Sequence, residues 1–177
     1  MTDARFRLYM AQSLDGFVAD AEGGVDWLDA FDDGDDEAVD YGTDGFMDEI
    51  DALIMGRATY DQITGFDVWP YAGKRVFVLT SSPIPEAPEG VEATSDVAGL
   101  IAELREDAAR VWIVGGPGAV VAMRGLGALD TVELFVMPIL LGAGVPLFGD
   151  EADPLPLSLK SSRAYPNGVV HLVYDVV

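Results

Sequence analysis

Alternation of apolar and polar side chains begins almost at once, and RFRLYMAQ (5–12) predicts a strand. Asp15-Gly16 is a turn signal, with Phe17–Ala19 as a short return strand or an ordered loop. Residues 20–45 are rich in Gly and Asp and read as a long surface loop, with a partial helix near Glu37–Tyr41. Phe46–Ile50 reads as a helix end, Ala52–Met55 as a short buried strand, and Ala58–Ile63 as a helix closed by Gly65. Arg75–Thr80 predicts a strand, followed by the proline-rich loop SSPIPEAPEG. Apolar residues at Val97, Leu100, Ile101 and Leu104 have helical spacing, which predicts a helix over Asp96–Ala108 with Ser95 or Thr94 as its N-cap. Val111–Val114 is a strand, and a helix follows Gly115-Gly116-Pro117-Gly118 through Met123. Thr131–Pro138 and Leu157–Ala164 are strands, and Asn167-Gly168 marks a hairpin into a last strand over Val169–Val177.

Strands alternating with helices up to about residue 125 predict an α/β domain. The sheet is expected to be mostly parallel, with an antiparallel edge from the final hairpin. No internal repeat or composition break divides the 177 residues, so one domain over 1–177 is expected.

Charge narrows the function. Acids number 31 and bases 10, a net charge of −21. Such a surface repels nucleic-acid phosphates and anionic membranes alike. The 15 acids from Asp15 to Asp51 have no Lys or Arg among them, yet acids also recur along the rest of the chain. The pattern reads as a surface adapted to high salt, where screening over about 3 Å at roughly 1 M limits self-repulsion. The run DDGDDE (32–37) lacks the spacing and closing Glu of a calcium loop and reads as a solvated acidic loop. There is no Cys and one His, so thiol chemistry, zinc ribbons and multi-histidine metal sites are excluded, and no metal site is expected. The most apolar stretch, Leu134–Val145, is broken by Pro and Gly and is too interrupted to span a bilayer. The N-terminus has no signal pattern, so a cytoplasmic protein is expected.

Three segments carry candidate chemistry. In VWIVGGPGA (111–119) a buried strand runs into a glycine-rich turn and a helix. Such a turn lets a phosphate approach free N–H groups at the positive end of the helix. A tight turn needed only for packing has the same pattern. In LIMGRATY (53–60) a strand ends in Gly56, with Arg57 and Thr59 in the first helical turn. Cations avoid helix N-termini unless an anion is present, although Arg57 has many surface acids to pair with. In VFVLTSS (76–82) a strand ends in Thr80, Ser81 and Ser82, hydroxyls that either meet a ligand or cap a turn. Together the three place glycine turns, an arginine and hydroxyls at the carboxyl ends of strands, where open α/β sheets bind ligands. QSLDGFVA (12–19) reads as a lid, or as a turn stabilised by Asp15. His171 in the last strand reads as a satisfied structural histidine, and Met47 and Met137 as core.

The set MAQSLDGFVA, IMGRATYDQI, VLTSS, IVGGPGAV and LFVMPILLGAGVPLF resembles the dihydrofolate reductase-like superfamily. It is most similar to the branch of the riboflavin-biosynthesis reductase, the RibD C-terminal domain. The resemblance implies a three-layer fold with a central mixed, mostly parallel sheet flanked by helices. It implies an NADPH-dependent reductase that transfers a hydride to a small heteroaromatic substrate of pterin, flavin or pyrimidine type. The alternative is a nucleotide-binding or sensing module of the same fold without efficient turnover. By the same resemblance, Gly56, Arg57 and Thr59 would contact the cofactor phosphates, and Thr80, Ser81 and Ser82 the adenosine ribose and its 2′-phosphate. Gly115, Gly116, Gly118 and Ala119 would hold the pyrophosphate, while Ala11 and the Leu14–Val18 loop, Val18 included, would face the nicotinamide. Asp15 and Asp32 are the candidate acids. Asp32 follows Trp27 at a spacing similar to a family acid, inside a run where any register finds an Asp. Trp27, Phe46 and Trp69 are candidate pocket walls. A homodimer is expected, built around the edge strand and the apolar, glycine-broken LGAGVPLF segment.

Overall fold

The protein is described here by a computed structural model, which covers residues 5–31, 39–149 and 153–177. Its first strand, β1 (Arg5–Ser13), is the middle of the molecule. A short β2 (Phe17–Ala19) follows, then a 3₁₀ turn (Asp26–Phe31) and helix α1 (Thr43–Glu49). Strand β3 (Ala52–Gly56) runs directly into α2 (Arg57–Ile63). Strands β4 (Arg75–Leu79) and β5 (Val91–Thr94) precede α3 (Val97–Glu106). Then come β6 (Arg110–Gly115), α4 (Pro117–Gly125), β7 (Thr131–Met137) and the two-residue β8 (Val145–Pro146). The hairpin of β9 (Leu157–Ala164) and β10 (Val170–Val176) ends the chain.

Eight strands form one sheet in the order β5-β4-β3-β6-β1-β7-β10-β9. All neighbours are parallel from β5 to β7, and β10 is antiparallel to both β7 and β9. The expected mixed, mostly parallel sheet with a C-terminal antiparallel hairpin is therefore present. Strand β3 reads as an unbroken apolar run because both its faces are covered. Ala52 and Ile54 pack with Phe6, Leu8, Leu104 and Met123, on the side of α3 and α4. Leu53 and Met55 pack with Phe46, Tyr60 and Ile63, on the side of α1 and α2. This gives the three layers.

Several local expectations are corrected. The N-cap of α3 is Asp96, not Ser95 or Thr94: its carboxylate accepts the Gly99 N–H at 2.9 Å. Thr94 instead belongs to β5, the edge strand that the proline-rich loop conceals in the sequence. Phe17–Ala19 is a strand, but it pairs with β8 rather than folding back on β1. The loop over 20–45 contains the Asp26–Phe31 turn and the first turn of α1, Thr43–Gly45. Of the partial helix expected at Glu37–Tyr41, Glu37 and Ala38 lie outside the described residues, and Val39–Tyr41 is irregular.

The β2–β8 pairing explains the glycine-broken segment. Gly144 lies so close to the backbone of Ala19 that a Cβ there would meet the Ala19 oxygen at 2.2 Å. Leu147 is fully buried. Asp15 ties the same segment down: its carboxylate accepts the Ser13 hydroxyl at 2.6 Å and the N–H groups of Leu141 at 3.1 Å and Gly142 at 2.8 Å. The Ser13 hydroxyl, with the Gly142 and Leu141 N–H groups, holds the Asp15 carboxyl below the usual Asp range. In Asp15→Ala, amide hydrogen exchange at Leu141 and Gly142 is expected to accelerate while the central strands keep their protection. Unchanged exchange at both amides would show that the carboxylate does not hold the loop.

Candidate functional site

Side-chain alternation on β1 sends Arg7, Tyr9 and Ala11 to one face of the sheet. The register places Tyr9 beside Glu133, and Ala11 beside Phe135. Trp112 and Val114 reach the same face from β6. Together with Met10, Val18 and Met137 these residues form the floor of a cavity of about 350 Å³. Val25 and Leu28 of the 3₁₀ region and Tyr41 and Thr43 before and in α1 line it from the other side. The described lining is apolar apart from the hydroxyls of Tyr9, Tyr41 and Thr43.

The floor is an interlocked aromatic set. Tyr9 stacks on Phe46 with centroids 3.9 Å apart and meets Trp112 and Phe135 edge-on. The Trp112 indole N–H donates to the Tyr9 carbonyl at 3.0 Å. The Tyr9 hydroxyl stands 3.4 Å from Thr43 Oγ1, a long contact that leaves it free to turn to a ligand. Burial, supported by the negative charge of Glu133, outweighs the Thr43 contact and raises the Tyr9 phenol above its ordinary value. It is therefore a neutral hydrogen-bond donor at physiological pH.

Beside this floor, on the same face of the sheet, lies a largely buried ion pair. Glu133 accepts Arg7 Nε at 2.7 Å, and Arg7 also reaches Glu49 at 2.7 Å while its guanidinium covers the Phe46 ring. His171 stacks on Phe135, centroids 4.2 Å apart and planes within 3°. Its Nε2 is buried 3.6 Å from Glu133 Oε2, beyond hydrogen-bond distance, and has no hydrogen-bond partner among the described residues. The expectation of a satisfied structural histidine is thus corrected: ring stacking on Phe135, and no hydrogen bond among the described residues, holds His171 beside Glu133.

Two of the three strand-end motifs, those of β3–α2 and β6–α4, meet at the side of this cavity. Val114, a lining residue, leads directly into Gly115 and Gly116 at the start of α4. A Cβ on Gly116 would stand 3.2 Å from Thr59 Oγ1, and one on Gly56 would stand 3.9 Å from the Gly116 nitrogen. Gly56, Thr59 and Gly116 are thus neighbours. Gly115 has φ +120°, and a Cβ there would strike Met10 at 3.0 Å. The N-caps of both α2 and α4, Gly56 and Gly116, provide no side-chain hydrogen bond to their helices. The first N–H groups of both helices thus lack side-chain caps, at the positive end of the helix dipole. Gly118 belongs to that first turn of α4, and Ala119 donates its N–H to the Gly116 carbonyl.

Other candidate residues lie as follows. Arg57 pairs with Asp61 at 2.8 Å and donates to the Pro83 carbonyl at 3.4 Å, which brings it next to the Thr80–Ser82 segment. The Thr80 hydroxyl accepts the Ser82 N–H at 3.1 Å and so caps a turn, while Ser81 and Ser82 are exposed. Ala11 and Val18 line the cavity. Trp27 packs beside it among Leu28, Phe31 and Tyr165, and Phe46 supports Tyr9 from behind. Trp69 lies elsewhere: with Arg57, Tyr60 and Ile84 it lines a separate cleft between α2 and the proline-rich loop. Asp32 lies outside the described residues. Among the described residues no cluster of acids or His has the geometry of a metal site.

The sequence profile of the RibD C-terminal domain matches residues 66–171, more than half of the chain. The chain belongs to the RibD C-terminal domain family. It is 33% identical to the uncharacterised protein YwjB of Bacillus subtilis (strain 168), over 92% of each chain. Its fold is similar to that of a putative riboflavin biosynthesis protein from Shewanella sp. PV-4, with 30% identity, 98% and 99% of the two chains covered and a TM-score of 0.85. The dihydrofolate reductase of Enterococcus faecalis, solved with NADP(H), shares the fold at 18% identity, with 97% and 96% covered and a TM-score of 0.65. Tyr9, Trp112 and Phe135, which form the cavity floor, escape a reading of the sequence motifs. The alternation around Tyr9 and Trp112 was a local signal for them, but the β1–β7 register that brings Phe135 in is not.

Proposed function

We propose that this chain is an NADPH-dependent reductase of a small, flat, uncharged-ring heteroaromatic substrate. The observation that carries this reading is the contiguity of two sites. An apolar cavity floored by aromatic rings ends at Val114, and the next residues open a glycine cradle between two helix starts. Family membership and the NADP(H)-bound dihydrofolate reductase of the same fold support it.

The cradle fits a pyrophosphate. Gly56 and Gly116 leave room beside Thr59 where any side chain would fill it, and the N–H groups at the start of α2 and α4 would bind the phosphate oxygens. Arg57 beside the Thr80–Ser82 hydroxyls would meet the ribose end, which favours NADPH over NADH. A reduced nicotinamide, once bound, supplies the hydride. Ala11 and Val18 would bound its ring, Ala11 being small enough for close approach of a second ring. Tyr9, Trp112 and Phe135 would hold that substrate ring by stacking and edge contacts and exclude water. The Tyr9 hydroxyl would donate a hydrogen bond to a ring carbonyl or nitrogen. Asp15, with both carboxylate oxygens engaged by Ser13, Leu141 and Gly142, acts as a loop latch rather than as a proton donor.

The test is NADPH oxidation with a panel of dihydropterin, oxidised flavin and amino-pyrimidine acceptors in roughly 2 M potassium chloride, which screens the acidic surface. At least one acceptor is expected to turn over, and Tyr9→Phe to lower kcat/KM at unchanged thermal stability. NADPH binding without turnover of any acceptor would favour the sensing alternative.

A further inference from the structure

The Asn167-Gly168 pair does more than turn the chain. Gly168, at φ +88°, donates its N–H to the Tyr165 carbonyl at 3.0 Å, and Tyr165 donates its own to the Val169 carbonyl at 2.8 Å. Val169 is fully buried, so the turn between β9 and β10 is pinned to the core. From this turn the Asn167 side chain reaches the wall of the aromatic cavity. Two contacts fix its amide. Oδ1 accepts the Val169 N–H at 3.3 Å, and Nδ2 donates to the Tyr41 hydroxyl oxygen at 2.5 Å.

Tyr41 lines the cavity. Phe135 and Tyr165 hold its ring edge-on, with centroids 5.6 and 4.9 Å away. Its oxygen accepts from Asn167, so its own hydrogen is kept for another acceptor. Among the described residues nothing takes that hydrogen. The Tyr9 hydroxyl, with only a long contact to Thr43, is free to turn, whereas that of Tyr41 is set as a donor.

We propose that Tyr41 is a specificity-determining residue, held as a donor by Asn167, and that the bound ring presents a carbonyl oxygen to it rather than an amino group. The inference rests on the reading of the cavity as the site of the acceptor ring. A carbonyl completes the relay from Val169 N–H through Asn167 and Tyr41 to the ring, in which every donor meets an acceptor. An amino group would set donor against donor where the apolar lining excludes water. A site built to hydrogen-bond one group rejects the analogue lacking it far more strongly than it rejects a change of size.

Three pteridines of one size test it: lumazine with two carbonyls, pterin with one carbonyl and one amino group, and 2,4-diaminopteridine with no carbonyl. Their affinities are measured by calorimetric titration of the cofactor-free protein in roughly 2 M potassium chloride. Lumazine is expected to bind roughly tenfold tighter than the diamino ring. Tyr41→Phe should cost lumazine roughly three- to tenfold and the diamino ring nothing. Asn167→Asp reverses the relay. Asp-Gly makes the same kind of turn, and the carboxylate accepts both the Val169 N–H and the Tyr41 hydrogen. The phenol oxygen then accepts from the ring, and preference should move to the diamino compound. A merely structural Asn167 would weaken all three rings alike. Should Asn167→Asp unfold, Tyr41→Phe carries the test. Equal or no binding of the three rings to wild type, an unchanged preference in Tyr41→Phe, or equal losses in a folded Asn167→Asp would overturn the proposal. The expected pattern without NADPH oxidation would overturn the reductase reading and leave this one standing.

Discussion

Gly115→Ala is expected to cost the fold roughly 2–5 kcal/mol, the sum of backbone strain and overpacking. Gly115 ends β6 with φ +120°, a conformation that a side chain disfavours. The new methyl would also meet Met10 Cε at 3.0 Å and Sδ at 3.1 Å. Met10 is flexible but packs against the main core and lines the cavity, so its displacement disturbs both. For a chain of this length the thermal midpoint should fall by roughly 5–15 °C. Gly118 is the control. It has an ordinary backbone conformation, and nothing lies within 4 Å of a Cβ there. Gly118→Ala should leave the midpoint within about 2 °C. Equal midpoints for both variants would mean that the β6–α4 junction is not under this constraint.

Glu133→Ala is the second large effect, expected at about 3 kcal/mol. The Glu133 side chain is 7% exposed and that of Arg7 20%, so truncation leaves a largely buried guanidinium without its main partner. Arg7 keeps Glu49 and some solvent, which places the loss at the lower end for buried pairs. The pH dependence has a definite sign. Burial raises the Glu133 carboxyl, but the facing His171 and the Arg7 charge together outweigh it and hold the carboxyl below its ordinary value of 4.5. The unfolded chain thus takes up the proton first. The contribution is complete above pH 4.5 and is lost as pH falls through the lower folded value. Urea midpoints for wild type and Glu133→Gln should therefore converge as pH falls below about 4. A constant difference down to pH 3 would show that the stabilisation does not depend on ionised Glu133. Since Arg7 covers Phe46 and Phe46 stacks on Tyr9, the same variant should weaken substrate binding more than cofactor binding.

The parts of the fold that local signals dictate were legible. Strand alternation at 5–12, the buried run at 52–55, the helical spacing at 97–104 and the Asn167-Gly168 turn all correspond to elements of the structure. What depends on long-range pairing was not. Strand β5 is four residues on an edge, with little apolar signal, and exists because it pairs with β4. Phe17–Ala19 looks like a return strand, yet its partner lies more than 120 residues away. Within the site, glycine turns at strand ends were visible because a strand-to-helix turn needs local glycines. Phe135 was not, because only the register between β1 and β7 brings it beside Ala11. Trp69 misled for a related reason: the chain after α2 places it in a separate cleft with Arg57, Tyr60 and Ile84, and the Tyr71 ring stands between it and Trp112 of the aromatic floor. Arg57 answered to both of its readings, since it pairs with Asp61 and still borders the hydroxyl segment.

The central claim is that the strand-end glycines and helix starts bind a nicotinamide dinucleotide phosphate. The most direct measurement is a thermal-shift titration with NADPH, with NADH and without ligand, in roughly 2 M potassium chloride. At a hundredfold excess over Kd a ligand adds roughly 2.7 kcal/mol to stability. A rise in the midpoint with NADPH that exceeds the rise with NADH is the predicted result. No rise with either nucleotide would contradict the claim and leave the glycine turns as packing features.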